Sequence, residues 1–165
     1  MGFIEDQEAT WKTFTLDDEY RWVLLVGMLC VFHYIICIGI GGGPRGKIFT
    51  QEFMEEKFGK EHAEAFDGAK IGAHGYPDSG SGIYTMAAGY KNWMEFMKAQ
   101  RVHYNYLEHI LQMLVCMLIA GVHYPRVTWI WGLVYFFSRV IYQVGYIIIG
   151  PKGRYFAAPI VIHSQ

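Results

Sequence analysis

Read for apolar and polar positions, the chain alternates between long runs that avoid charge and stretches that collect it. The apolar runs occupy about 22–40, 104–122 and 129–149. At ~1.5 Å per helical residue, each is about as long as the roughly 30 Å hydrocarbon core of a bilayer is thick. The pattern predicts an all-α integral membrane protein, a single membrane domain with three transmembrane helices running up and down. Around them lie a polar N-terminal tail over 1–21, a long polar loop over 41–98 and a C-terminal tail over 150–165.

The polar stretches carry their own signals. The N-terminal tail is acidic, unlike a cleavable signal peptide, which begins basic and turns apolar, and unlike an Arg-rich transit peptide. Gly41, Gly42, Gly43 and Pro44 are expected to break the first helix and give a flexible exit from the membrane. With no strand before these glycines and no Lys-Ser or Lys-Thr after them, they make a poor phosphate cradle. TQEFMEEKFGKEHAEAF predicts a short helix capped by Thr50, with Phe53, Met54 and Phe58 to be buried on the membrane surface or on the bundle. HGYPDSGSG is turn-forming, and NWMEFMKAQ then leads unbroken into the second span. Trp93, Phe96, Tyr104 and Tyr106 suit an aromatic belt at the membrane interface.

Composition agrees with a membrane protein, since 53% hydrophobic residues with 17% aromatic is too apolar for an ordinary water-soluble domain. Cys30, Cys37 and Cys116 lie in the apolar runs without a CxxC pair, so they read as small buried hydrophobes, with no disulfide framework and no metal site. His33, in mid-span, reads as a neutral histidine bonded to a neighbouring helix rather than a haem ligand or proton relay. The basic residues are membrane-proximal and form no nucleic-acid patch. A channel or transporter is disfavoured, since neither an inverted repeat nor a ring of selectivity groups is present.

Two polar stripes interrupt this apolar picture. Arg101, Asn105 and Glu108 fall at i, i+4 and i+7, and Gln112 carries that face one turn deeper. In the third span Tyr135, Arg139, Tyr142 and Tyr146 form a second stripe, whose arginine sits about half-way through the membrane. Polar groups in such places are costly and mark a site. Glu108 is the expected partner of Arg139, because the two helices are antiparallel and both residues lie a few turns in from one face. Lys and Arg outside the spans divide three against ten in favour of the face with the long loop, which puts that loop on the cytosolic or matrix side.

AQRVHYNYLE, then GVHYPRV, SRVIYQVGY and GPKGR in that order, resembles the membrane-associated proteins in eicosanoid and glutathione metabolism, and within them the microsomal glutathione transferase branch. The likeness covers roughly 76–154; either stripe alone would be weak, and the two together are fairly specific. It implies a trimer of four-helix subunits in the endoplasmic reticulum or mitochondrial inner membrane, with glutathione as co-substrate at subunit interfaces. Arg101, Asn105 and Glu108 would hold the charged ends and amides of glutathione, Arg139, Tyr142 and Tyr146 would contribute from the third span, and Arg154 would activate the thiol. The implied activity is transfer of glutathione to lipophilic electrophiles, or peroxidase activity on hydroperoxides. After Arg154 the tail YFAAPIVIHSQ is too short and too interrupted by Pro159 to span, so the family's fourth helix is expected to be missing. That departure supports an alternative: a catalytically degenerate accessory subunit of a large membrane complex, for instance in the mitochondrial respiratory chain. The same residues also fit plainer roles, with Arg101 and Arg154 as lipid-headgroup anchors, the tyrosines as packing aromatics, and Asn105, Glu108 and Arg139 as a structural network.

Overall fold

The computed structural model describes residues 16–74 and 78–156, with side chains through residue 153. Among the described residues five α-helices follow one another: α1 (Tyr20–Ile48), α2 (Gln51–Ala65), α3 (Ile83–Ala87), α4 (Tyr90–His123) and α5 (Pro125–Ile149), and a 3-10 turn (Pro151–Phe156) ends the described chain. α1, α4 and α5 are each long and apolar enough to cross a membrane, in agreement with the three expected spans. Tyr124 alone separates α4 from α5, and Pro125 opens α5 where its missing N–H costs nothing.

The three long helices pack through small residues. A Cβ added at Gly121 would lie 2.9 Å from Val23 Cγ1, and one at Gly132 2.8 Å from Val26 Cγ1, so both glycines admit α1 closely. Val23, Val26, Cys30 and Met117 form the buried cluster that results. Two side chains tie α1 to α4 through carbonyls, Tyr20 Oη donating to Leu118 O at 3.1 Å and Tyr106 Oη to Cys30 O at 3.0 Å.

Three expectations need correction. α1 does not break at Gly41–Pro44 but continues to Ile48. Gly41 is buried where α4 passes, and a Cβ there would meet His103 Cβ at 3.5 Å and Ala99 O at 3.7 Å. That packing, with Phe49 buried just beyond the helix end, outweighs the weak helix propensity of glycine and the lost proline N–H. Phe96 and Tyr106 are core residues rather than belt residues, 0% and 3% exposed. Cys116 is exposed, whereas Cys30 and Cys37 are buried as expected.

At ~1.5 Å per residue, α1 with 29 residues and α4 with 34 are about 43 and 51 Å long, well beyond the hydrocarbon core. Their overhanging ends on the loop side carry a small aqueous module. Thr50 caps α2 as expected, its Oγ1 accepting from Phe53 N at 3.3 Å. Met54 turns inward to join Phe49, Ile71 and Phe96, which settles that α2 buries its apolar side on the protein's own helices.

Asp78, in the turn-forming segment, organises the rest of the module. Its carboxylate accepts from Gly80 N at 2.9 Å, Thr85 N at 3.1 Å and Thr85 Oγ1 at 2.9 Å. Burial alone would raise this carboxyl, but those bonds and the Arg45 charge prevail and hold it below its ordinary value. Trp93 closes the turn by donating Nε1–H to Gly80 O at 2.7 Å.

Candidate functional site

The α4 stripe forms as the helical spacing requires. Arg101 Nη1 lies 3.5 Å from Glu108 Oε1, two turns along the same face. Both side chains are about half exposed, and Gln112 below them is exposed too. Nothing among the described residues covers this face, so a glutamate and an amide stand on the outer surface where α4 enters its apolar run.

The inner edge of the stripe is built differently. Asn105 is half-buried, and its Oδ1 accepts from Arg139 Nη1 of α5 at 2.6 Å. Arg139 is 3% exposed, with its guanidinium carbon 4.9 Å from the Tyr135 ring centroid and 5.5 Å from that of Tyr106. Two ring faces and one amide oxygen thus replace water around a buried cation. Its Nε has no hydrogen-bond partner among the described residues.

The expected Arg139–Glu108 pair is therefore corrected. Asn105 faces α5, whereas Glu108 is turned outward, where Arg101 is its hydrogen-bond partner among the described residues. The two stripes do meet, through Asn105 and Arg139. One turn and two turns beyond Arg139, Tyr142 is buried and stacks on Tyr146 with ring centroids 5.5 Å apart.

The end of α5 brings the chain back on itself. Gly150 ends the helix at φ 80°, a conformation that favours glycine. The following turn then lays Gly153 against Gly145, so closely that a Cβ on Gly145 would lie 2.9 Å from Gly153 O. This contact seats the backbone of Gly153 on the last turns of α5, beside the backbone of Tyr146. The Arg154 side chain lies outside the described residues, as does the segment 157–165 on which the missing fourth helix was argued.

Deeper in the bundle is a polar cluster that the sequence only half disclosed. His33 Nε2 is 2.7 Å from Gln143 Oε1, which also accepts from Cys37 Sγ at 3.4 Å. An amide oxygen can only accept, so His33 donates from Nε2 and is bonded to a neighbouring helix, as expected. Tyr106 and Phe136 meet the imidazole edge-on at 5.4 and 5.3 Å. Gln143, one residue from Tyr142 and on another face of α5, gave no sequence signal beyond being an amide inside an apolar run.

A family model, that of the MAPEG family, matches residues 22–160. No curated protein and no solved structure matches the chain.

Proposed function

The chain belongs to the MAPEG family, and from that premise we propose that it binds glutathione between the two polar stripes and activates its thiol for attack on lipophilic electrophiles or hydroperoxides. Membership supports a glutathione-related membrane transferase or peroxidase at the level of the family. The observation that carries the finer reading is the Asn105–Arg139 bond, which fixes the α4 stripe against the α5 stripe.

The residue chemistry suits glutathione, which offers two carboxylates, one ammonium and two amides. Arg101 and Glu108 supply one charge of each sign within 3.5 Å of each other on an open face. Asn105, its oxygen engaged by Arg139, keeps both amide N–H donors for a ligand. Tyr142 and Tyr146 add hydroxyls on the α5 side. Arg154 follows the glycine seated on Gly145, and in the proposed site its charge would stabilise the thiolate. Each unit of thiol pKa lowering requires ~1.4 kcal/mol of preference for the anion.

The open face of α4 also supports assembly, since Glu108 and Gln112 would otherwise meet acyl chains. A homotrimer or a larger membrane complex would provide the cover. The excess of Lys and Arg on the loop side favours a cytosolic or matrix-facing site.

The test is glutathione titration of the purified protein in mild detergent, followed by the ultraviolet difference signal of the thiolate. The wild type should give a saturable signal, Arg154→Ala should bind without it, and Glu108→Gln should shift the binding curve. Absence of binding, with the wild type recovered in a high-mass assembly, would support the accessory-subunit reading instead.

A further inference from the structure

One charge of glutathione has no counterpart among Arg101, Asn105, Glu108, Arg139 and Arg154. The ligand carries an ammonium and a carboxylate on one carbon at its γ-glutamyl end, and a second carboxylate at its glycine end. Glu108 and Arg101, 3.5 Å apart, present a negative and a positive group side by side, as such an amino-acid head requires. In the proposed site Arg154 serves the thiol. Arg139 is 3% exposed and already held by the Asn105 amide and two rings. The glycine carboxylate is left without a cation.

Lys98 stands where that cation is wanted. It precedes Arg101 by three residues and Asn105 by seven, so at 3.6 residues per turn Lys98, Arg101, Asn105 and Glu108 fall within an arc of about 80° on α4. Asn105 meets α5 at Arg139, and Lys98 meets it at Gly150, three turns farther along the same α5 face. The lysine stem crosses Gly150 so closely that a Cβ there would lie 3.3 Å from Lys98 Cε and 3.8 Å from Nζ. Tyr142 and Tyr146 lie between these two meeting points along α5.

The half-buried Lys98 side chain thus holds its ammonium at the end of α5, where the carbonyls of the last turn favour a cation. No carboxylate among the described residues pairs with it, and an ammonium offers three donors. The span also suits the ligand. Arg101 reaches along α4 to Glu108, away from Lys98, and Glu108 is about 15 Å of helix from Lys98. An extended tripeptide covers about 10 Å of that, and the long side chains at both ends cover the rest.

We propose that Lys98 is the specificity-determining residue for the glycine end of glutathione, its ammonium pairing with the glycine carboxylate while Glu108 and Arg101 hold the γ-glutamyl head. This assignment rests on the glutathione reading and adds an orientation to it. The glycine end lies at the C-terminus of α5, and the γ-glutamyl end lies deeper along α4.

The experiment is calorimetric titration of the full chain in mild detergent with glutathione and with its glycine amide, which lacks only that carboxylate. The wild type should bind the amide about 10–100-fold more weakly, the factor expected of one hydrogen bond between charged groups. Lys98→Met, which keeps the stem over Gly150 and loses the charge, should bind both ligands alike, at the level the wild type shows for the amide. Lys98→Arg should keep the preference. Equal binding of the two ligands by the wild type would overturn the proposal while leaving glutathione binding intact, and would reduce Lys98 to a cap of α5; this comparison needs no variant. A preference that survives in Lys98→Met, or in Lys98→Gln should the first variant not fold, would also overturn it. A wild type that binds neither ligand would remove the glutathione reading and this assignment together.

Discussion

Arg139 donates to Asn105 across the α4–α5 interface at 2.6 Å, while Glu108, almost one turn farther along α4, pairs instead with Arg101. The buried cation is thus held by an amide and two aromatic rings rather than by a carboxylate. A double-mutant cycle separates the two arrangements. Arg139→Leu and Asn105→Ala should couple by about 1–2 kcal/mol in unfolding from detergent, whereas Arg139→Leu and Glu108→Gln should add to within ~0.5 kcal/mol. Strong coupling to Glu108 would restore the pairing that charge alone suggests.

The His33–Gln143–Cys37 cluster makes a second prediction. Gln143→Leu removes the close oxygen acceptor of His33 Nε2, leaving it only the 4.0 Å contact with Cys37 Sγ among the described residues, at a cost of about 1–3 kcal/mol. Adding His33→Leu should recover part of that loss, because a matched apolar pair leaves nothing unsatisfied. Thermal unfolding of the two single variants and the double variant decides it, and a double variant as unstable as the sum of the singles would count against the cluster.

Glycines in the long helices should respond in opposite directions. Gly42 and Gly43 have nothing within 4 Å of an added Cβ, so alanine at either should stabilise by roughly 0.5–1 kcal/mol. Gly132→Ala would press on Val26 and Met117 and should cost about 1–3 kcal/mol. The midpoint of thermal unfolding in detergent reads both. A loss at Gly42 would argue that the chain opens there after all.

Acid should loosen the aqueous module before the bundle. The folded state holds the Asp78 carboxyl below its ordinary value, so its contribution is complete above the unfolded pKa and is lost as pH falls through the folded one. Amide exchange at Gly80 and Thr85, whose N–H groups bond to Asp78, should lose protection in that window. In Asp78→Asn the protection should be lower at neutral pH and no longer depend on acid.

What could be read from the sequence follows from the range of each interaction. The three spans, the Thr50 cap and the i, i+4, i+7 stripes are local patterns, and each has its counterpart in the structure. The passage of α1 through Gly41–Pro44 was not legible, because contacts with Ala99 and His103, some sixty residues away, decide it. The partners of Arg139 and His33 were hidden for the same reason. Charge pointed to Glu108, but the rotation of α4 about its axis selects Asn105; nothing near His33 in the chain indicates Gln143. The Asp78–Thr85 knot stood inside a stretch whose composition announces only turns.

In the proposed assembly, the face of α4 left uncovered by the described residues would make surface density a thermodynamic variable for this chain. Among the described residues nothing covers Glu108 and Gln112, and in the proposed assembly a neighbouring polypeptide would relieve the cost of holding them toward lipid. The settled fraction would then rise with the number of subunits per area of bilayer, and the side chains proposed to touch a ligand would also recruit neighbours.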